Sequence, residues 1–434
     1  RQAQNSKPPI GRLADQVAAV FVPSVLIIAV LTALAWFNFG PDPKAGYALV
    51  TTLTVLIIAC PCALGLATPI SIMVGIGKAA EHGILIRDGA ALQRAGQLTT
   101  IVLDKTGTVT IGRPTVSAVI ALPGFSEDEI FQWAAGLEAN SEHPLAQAIL
   151  DAACQRGLEV PVMERFEAVA GQGVTGHLAG RAALAGNRRL LESYGIDATP
   201  LQAEAERLAA TGQTPVFIAV NGEAVGLVAV ADPLKPDSAA AIGRLRELGL
   251  RIVLLTGDHP AAAQAIAAQV GIDEVFAEVL PTAKADLIAQ LQVQGAVVGM
   301  AGDGINDAPA LAQADVGLAI GAGADIAIES AGITLVGGSL QGIAAAIAIS
   351  RATVTNIRQN LFGAFIYNIL GIPLAAGALY PATGLLLNPM LAGAAMALSS
   401  FTVVSNANRL RGFQPAATLT SHPPAGEPKV RNPA

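Results

Sequence analysis

The segment TTIVLDKTGT, residues 99–108, joins a run of β-branched and aliphatic residues to Asp104 and a turn that contains Gly107. A short apolar run before a polar turn predicts a buried strand. Open α/β sheets with parallel strands place their active sites at the carboxyl ends of those strands. The segment therefore predicts that Asp104 stands in such a crevice, where its carboxylate can act as a nucleophile.

Three other segments also place polar residues at the end of an apolar run or at the start of a helical pattern. Thr256-Gly257-Asp258 follows the apolar run 251–255, Lys284 precedes a helical pattern, and GDGIND (302–307) follows the run 296–301. Phosphoryl transfer needs an attacking oxygen, carboxylates for Mg²⁺, and cations or hydroxyls around the transferred group. A lone aspartate at a strand end is more often a cap or a turn residue, but several such segments together favour catalysis.

We assign roles within this set. Asp104 is the nucleophile, Thr106 and Thr256 donate hydroxyl hydrogen bonds, and Lys284 neutralises charge on the phosphoryl group. The predicted magnesium ligands are Asp104, Thr106, Asp303 and Asp307. The full predicted catalytic set is Asp104, Lys105, Thr106, Thr108, Thr256, Gly257, Asp258, Lys284 and Asn306.

The composition predicts a membrane protein. Of the 434 residues, 52% are hydrophobic and 14% charged, and the mean hydropathy of +0.53 is too high for an ordinary soluble chain. Four apolar stretches have the length of a membrane-spanning helix, namely 15–39, 47–77, 357–380 and 387–408. The formal net charge of −7 offers no basic field for nucleic acid, so we exclude that class of partner.

The middle of the chain alternates strand-like and helical patterns, which is typical of an α/β domain with a parallel sheet. Residues of about 116–228 interrupt the alternation with strand-like segments of their own and are predicted to form an inserted domain. The predicted divisions are a cytosolic connector (1–14), two pairs of membrane helices (15–83 and 343–411), a divided α/β domain (84–115 and 229–342), the insert (116–228) and a disordered tail (412–434).

The second apolar stretch contains Cys60-Pro61-Cys62. A proline removes a backbone donor and opens the preceding helical turn, which leaves two sulfur ligands beside a break. With Cys154 the chain has three cysteines, a sparse and odd count that favours a thiol metal site over a disulfide framework. Thiolates prefer Cu(I), Ag(I), Zn(II) or Cd(II) to Mg²⁺ or Ca²⁺. Membrane cysteines can also be small packing residues, and that alternative is weakened by the intervening proline.

The motifs DKTGT (104–108), TGD (256–258) and GDGIND (302–307) resemble the phosphorylation motifs of the P-type ATPases. The resemblance implies a haloacid-dehalogenase-like, Rossmann-like phosphorylation domain with an inserted α+β nucleotide-binding domain, beside an α-helical membrane domain. It also implies an aspartyl phosphate at Asp104. Related phosphatases carry a general acid and base two positions after the nucleophile, where this chain has Thr106, so the aspartyl phosphate is expected to be long-lived.

The Cys-Pro-Cys segment resembles the heavy-metal branch of that family. In this branch the resemblance assigns ATP contacts in the insert to Glu138, His143, Gly171, Gly173, Gly186 and Asn187. Glycine lets the backbone approach a nucleotide closely.

The remaining membrane residues resemble the copper-exporting subgroup. They imply that the ligands of the transported ion include Cys60, Cys62, Tyr367, Asn368, Met396 and Ser399. Asp15 matches an acidic residue on the ion's path into the membrane, although a charge at the start of a helix is the simpler alternative. A zinc or cadmium pump is expected to carry a charged residue in its last helix, and none occurs between Leu387 and Asn408.

The resemblance predicts an ATP- and Mg²⁺-dependent Cu(I) exporter, with Ag(I) as an equivalent cargo, in a bacterial plasma membrane, contacting lipid and a cytosolic copper chaperone. An upstream actuator domain and further membrane helices of the family have no counterpart in residues 1–434, so slow hydrolysis of the aspartyl phosphate is expected. Two alternatives stay open. They are a pump for Zn(II), Cd(II) or Pb(II), against which the last two membrane stretches argue, and a membrane-anchored phosphohydrolase, against which Thr106 argues. A non-catalytic metal-binding membrane protein is excluded by the intact phosphorylation motifs.

Overall fold

The structure, a computed structural model, describes residues 9–141, 144–169, 171–258, 260–303, 305–321 and 329–415. The chain divides into two compact units. The helical unit comprises residues up to 98, 331–337 and the residues from 342 onward. The α/β unit comprises 99–330 and 338–341.

The elements are numbered in chain order. The helices are α1 Pro9–Phe39, α2 Lys44–Ile58, α3 Cys62–Glu81, α4 Gly89–Ala95, α5 Glu127–Glu138, α6 Pro144–Gln155, α7 Arg188–Ser193, α8 Thr199–Ala210, α9 Ser238–Glu247, α10 Pro260–Val270, α11 Pro281–Val293, α12 Ala308–Gln313, α13 Gln341–Ala375, α14 Tyr380–Thr383 and α15 Pro389–Asn408. The strands are β1 Ile84–Ile86, β2 Thr100–Asp104, β3 Thr115–Ala121, β4 Glu164–Val169, β5 Gly173–Leu178, β6 Arg181–Gly186, β7 Thr214–Val220, β8 Glu223–Ala231, β9 Arg251–Leu255, β10 Glu274–Phe276, β11 Val298–Gly302, β12 Val316–Ile320 and β13 Ile333–Leu335.

Within the described residues, three segments of the helical unit are long and apolar enough to cross a membrane: Gln16–Phe39, Lys44–Glu81 and Pro389–Gly412. The second segment is broken between Ile58 and Cys62, as its central proline predicts, and it extends to Glu81 instead of residue 77. Most of the predicted stretch 357–380 lies in α13, which ends at Ala375 and is not among these three. Its crossing of a membrane stays a prediction.

At its two ends the chain differs in detail from the prediction. Helix α1 begins at Pro9, inside the segment predicted as a connector. A 3₁₀ turn follows α15 over Arg409–Gly412, and the predicted tail lies outside the described residues from 416 onward. Strands β1 and β13 pair antiparallel in the helical unit.

The α/β unit contains a parallel sheet with the strand order β12-β11-β2-β9-β10. Every residue of β2, β11 and β12 is buried, which explains their continuous apolar sequences. The parallel register aligns the carboxyl ends of β11, β2 and β9 as neighbours. The predicted parallel sheet is therefore confirmed, and the polar segments that follow β2, β9 and β11 meet at one edge of it.

The insert is an antiparallel sheet of order β3-β8-β7-β6-β5-β4. Alternate residues of β7 enter two different cores: Val216 and Ile218 pack with α5 and α6, and Phe217 packs with α7 and α8. Both faces of the sheet are thus covered by helices. The sheet extends from Thr115 to Ala231, while the predicted domain boundaries at 116 and 228 stay a prediction.

We predict that Gly226→Ala destabilises the insert, because a Cβ on Gly226 would lie 2.5 Å from the Ile120 carbonyl oxygen and 3.0 Å from Ile130 Cγ1. The expected loss is about 1–3 kcal/mol in the free energy of unfolding. The matched control is Gly243→Ala in α9, where no atom lies within 4 Å of the new Cβ and helix propensity favours alanine. Thermal unfolding measures both variants, and equal midpoints for the two would contradict the packing argument.

Candidate active site

Three strand ends bring the predicted polar residues together. Asp104 is the last residue of β2, Thr256 directly follows β9, and Asp303 directly follows β11. Lys284 lies in the first turn of α11, and Asp307 precedes α12. The neighbouring strands hold these loops side by side because their parallel ladders stay in register up to Asp104.

Three carboxylates form the centre of the site. The side chains of Asp104, Asp303 and Asp307 each place an oxygen within 4.8 Å of the others. Lys284 Nζ donates to Asp104 Oδ1 and to Asp307 Oδ1, each at 2.6 Å. Asp104, Asp307 and Lys284 are buried, so this ammonium bridge is shielded from water.

Two glycines make room for the carboxylates. Gly107 has φ +70°, in the left-handed region, and a Cβ there would overlap Asp303 Oδ2. A Cβ on Gly302 would lie 2.5 Å from Asp307 Oδ2. Glycine is needed at both positions because each carboxylate packs directly against a backbone Cα.

The negative charge of the cluster exceeds what Lys284 neutralises. Burial and then the charge of Asp307 raise the pKa of Asp104 while Lys284 opposes both, and the net effect is a pKa of about 7. Burial and Asp307 also raise the pKa of Asp303. Burial alone would lower the pKa of Lys284, but Asp104 and Asp307 outweigh that effect and raise it. The cluster therefore has the hard oxygen donors and the unmet negative charge that suit a divalent cation.

The other predicted catalytic residues surround this centre. Lys105 Nζ is paired with Asp258 Oδ2, and Thr256 Oγ1 accepts a hydrogen bond from the Asp258 amide at 3.1 Å. Gly257 lies between these two residues in the loop after β9. The side chains of Thr106 and Asn306 are exposed. Thr108 is buried, and its Oγ1 has no hydrogen-bond partner among the described residues.

The predicted nucleotide residues are brought together only in part. Asn187 Oδ1 caps α7 by accepting from the Leu190 amide, and its Nδ2 donates to the Gly171 carbonyl at 2.9 Å. A Cβ on Gly173 would overlap the Ala185 carbonyl, and one on Gly186 would overlap the Gln172 carbonyl. These residues therefore shape one loop and its adjoining strands, β5 and β6, and their contacts with ATP stay a prediction.

Two further nucleotide predictions concern the region after α5. Glu138 is the last residue of α5 and is buried. His143 lies outside the described residues, as does the neighbouring Glu142.

The cysteine pair differs from the prediction. The structure joins Cys60 and Cys62 in a disulfide, whereas the sequence predicted two thiols. The helix is interrupted at Pro61, and the two Cα atoms are 5.4 Å apart, a separation that permits the bond. A disulfide sulfur is not a thiolate, so this form does not offer the predicted ligands. Their binding of a metal stays a prediction for the reduced pair.

The other predicted ligands of the transported ion lie on α13 and α15. Met396 and Tyr367 pack in the same apolar cluster as Ile58 and Ala59, which precede Cys60 directly. Asn368 and Ser399 are buried. Asp15 lies within α1, and its side chain is not among those that the structure describes.

The structure adds residues that the sequence did not single out as site residues. Lys235 Nζ donates to the carbonyl oxygen of Gly107 at 2.6 Å, and Asp232 accepts from the Gly112 amide at 2.9 Å. The sequence did contain a signal for Lys235, because it is the only lysine between Lys105 and Lys284.

Comparisons with known proteins agree with this geometry. Residues 98–315 match the haloacid dehalogenase-like hydrolase family. The chain is 55% identical over 411 residues to the copper-exporting P-type ATPase of Vibrio cholerae, an alignment that covers 95% of this chain and 45% of the relative. It is 48% identical over 412 residues to the silver exporting P-type ATPase of Salmonella typhimurium, covering 95% of this chain and 50% of the relative. The chain spans about half the length of these curated relatives.

A solved structure shares the fold. The chain is similar to a zinc-transporting PIB-type ATPase in its E2.Pi state, with a TM-score of 0.81 and 35% identity. That similarity covers 94% of this chain and 66% of the other chain. It extends over the membrane helices and the α/β domain together, so both were predicted in their correct classes.

We predict that Asp104→Asn raises the free energy of unfolding of the magnesium-free protein, and that the gain is larger at about pH 8 than at about pH 5. The pKa of Asp104 lies above the usual aspartate value, so wild-type stability falls as the pH rises from about 4 to about 7. The asparagine variant avoids that loss, which is on the order of a few kcal/mol.

Thermal unfolding at the two pH values, with a chelator present, measures this difference. Asp286→Asn is the control, because Asp286 lies exposed on α11. A gain of the same size at both pH values would show that the buried charge of Asp104 is not the cause.

Proposed function

The chain belongs to the haloacid dehalogenase-like hydrolase family and resembles its P-type ATPase relatives, and on this premise we propose that it is the phosphorylated, ion-conducting part of a Cu(I) exporter. The observation that carries the proposal is the cluster of Asp104, Asp303 and Asp307 with Lys284 at the carboxyl edge of the sheet. A buried nucleophile, hard anionic ligands and a fixed cation together suit phosphoryl transfer.

The residues present fit a magnesium ion. Asp104, Asp303 and Asp307 would hold it, with Thr106 as a further predicted ligand, and bound Mg²⁺ would neutralise charge on the phosphoryl oxygens. Lys284 supplies a second positive charge beside Asp104, and it needs no reorganisation because Asp307 already fixes its ammonium.

The proposed step is an in-line displacement by the Asp104 carboxylate. An oxygen of Asp104 attacks the γ-phosphorus of ATP, the bond from that phosphorus to the bridging β-phosphate oxygen breaks, and ADP leaves with the electron pair. Asp104 must be ionised, and Lys284 favours that form. Thr106 cannot act as the acid and base that deliver water in related phosphatases, which favours accumulation of the aspartyl phosphate.

ATP binding is proposed for the insert. The loop that Asn187 holds at the Gly171 carbonyl has exposed residues and lies at the same end of the sheet as Gly173 and Gly186. With Glu138 and His143, these residues form the proposed adenosine and phosphate contacts. Asp258 and Lys105 are proposed to help place the nucleotide phosphates beside Asp104.

The proposed cargo is a soft monovalent ion. Reduction of the Cys60–Cys62 disulfide by a cytosolic thiol would release two sulfur ligands at the helix break, with Met396, Tyr367, Asn368 and Ser399 on α13 and α15 as further ligands. Sulfur ligands suit Cu(I) and Ag(I). The names of the relatives support the same two metals.

The proposal includes the protein's surroundings. We place it in a bacterial plasma membrane as a multi-pass protein, with Asp15 on the cytosolic path of the ion, and we expect a cytosolic copper chaperone to deliver the metal. Zn(II) is the second candidate cargo, because a solved structure similar to this chain is a zinc transporter.

We predict that γ-labelled ATP transfers its phosphate to the detergent-solubilised chain when Mg²⁺, a thiol reductant and Cu(I) or Ag(I) are present. The label should survive acid, as an acyl phosphate does, and Asp104→Asn should abolish it. In Cys60→Ala/Cys62→Ala, addition of Cu(I) or Ag(I) should no longer stimulate labelling, because those ions lose their sulfur ligands. Cys154→Ala is the matched control, since Cys154 is an exposed free cysteine and should leave labelling unchanged.

Each outcome of the labelling experiment has a distinct meaning. Label that depends on Zn(II) would replace copper with zinc as the cargo. Release of phosphate without accumulated label or metal dependence would identify a phosphohydrolase. No label with any metal would overturn the proposed phosphorylation at Asp104.

A further inference from the structure

Lys235 connects the return of the chain from the insert to the loop that follows Asp104. It lies four residues after the end of β8, and its Nζ donates to the carbonyl oxygens of Gly107 at 2.6 Å and Gly338 at 3.0 Å. The side chain is half-buried, and the carboxylates of Asp232, Asp237 and Asp303 act on it electrostatically. Its two hydrogen bonds therefore join backbone segments that are far apart in the sequence.

The contact at Gly107 matters because of what lies on the other side of that residue. The Gly107 Cα packs directly against the Asp303 carboxylate, since a Cβ there would overlap Asp303 Oδ2. A shift of Gly107 toward Asp303 would displace the carboxylate, and a shift away would remove the contact between them. The position of the Gly107 peptide thus limits where Asp303 can present its oxygens.

The side chains of Asp232 and Ser238 hydrogen-bond the rest of the same loop, and these hydrogen bonds do not include Gly107 itself. Asp232 accepts from Thr110 Oγ1 at 2.5 Å and from the Gly112 amide at 2.9 Å, and Ser238 Oγ donates to the Val109 carbonyl at 2.7 Å. These bonds fix residues 109–112. Lys235 provides the side-chain contact at Gly107, the point of the loop that touches Asp303.

We propose that Lys235 is a positioning residue for the magnesium site. By holding the Gly107 carbonyl it fixes the position of the Asp303 carboxylate, and this position determines the affinity for Mg²⁺. It acts through Gly107 and is not itself a ligand. The inference rests on the proposed function only in taking Mg²⁺ as the ion of this site. Groups that orient metal ligands commonly affect metal affinity about 10–100-fold.

The electrostatic effect of Lys235 has the opposite sign from its positioning effect. A cation near Asp303 competes with Mg²⁺, so loss of its charge alone would tighten magnesium binding. Loss of the hydrogen bond to Gly107 would instead weaken magnesium binding, because Asp303 would no longer be held in place. The direction of the change therefore separates the two roles.

The test is direct Mg²⁺ binding to the detergent-solubilised full chain without nucleotide or copper, by calorimetry and by the rise of the unfolding midpoint with MgCl₂. We expect Lys235→Met to raise the Mg²⁺ concentration at half-saturation about 10-fold. Lys235→Gln retains a donor group, an amide NH₂ on a shorter side chain, and should show a smaller increase. Arg251→Met is the matched control, because Arg251 makes an exposed pair with Glu274 on the edge of the same sheet.

Two results would overturn the proposal. Tighter magnesium binding in Lys235→Met would mean that Lys235 acts only as a competing charge. A lower unfolding midpoint without any change in Mg²⁺ half-saturation would mean that the lysine is merely structural. If Lys235→Met does not fold, Lys235→Gln and Lys235→Arg decide between the same outcomes, since both change the geometry at Gly107.

Asp303→Asn separates failure of this inference from failure of the proposed function. Unchanged magnesium binding in Asp303→Asn would show that the cluster is not the magnesium site, which contradicts the proposed function as well. Weakened binding in Asp303→Asn together with wild-type binding in Lys235→Met would contradict the positioning role alone.

Discussion

The ammonium of Lys284 between Asp104 and Asp307 is the interaction on which the α/β unit depends. Three carboxylates within 4.8 Å would repel one another strongly, and two of them are buried. Removing Lys284 would cost about 3–5 kcal/mol, because two buried carboxylates would lose their cation. Asp104→Asn differs, because it leaves Lys284 paired with Asp307. The parallel sheet makes the cluster possible by aligning three strand ends, and Gly107 and Gly302 let the carboxylates pack closely against the backbone.

The sequence was sufficient for the parts of this site that follow from strand ends. Asp104, Thr256 and Asp303 each follow a continuous apolar run, and parallel strands present such positions at one edge. The sequence could not indicate that Lys235 reaches Gly107, because 128 residues separate them and the contact depends on how the insert returns to the sheet. The rarity of lysine in this region was a signal, but composition alone does not provide a partner.

In the membrane helices, too, the sequence predicted only part of what the structure shows. Pro61 predicted the break between α2 and α3 because proline cannot donate to the preceding turn, whereas Pro69 lies inside α3 without ending it. Local chemistry thus predicted the opening of the helix but not the state of the two sulfurs beside it. Whether Cys60 and Cys62 form a disulfide or two thiols depends on the redox environment as well as on geometry.

The linkers of the insert are bonded directly to the loop that follows Asp104. Asp232, where the chain leaves the insert, accepts hydrogen bonds from Gly112 and Arg113, where the chain enters it, and from Thr110 in the loop that follows Asp104. A rotation of the insert must therefore strain or break bonds that hold this loop. Because Gly107 of the same loop packs against Asp303, a movement of the insert would reach the carboxylate cluster through the Asp232 hydrogen bonds and this loop. The dense bonding of residues 107–113 is consistent with a loop that transmits domain movement while it keeps the carboxylates in place.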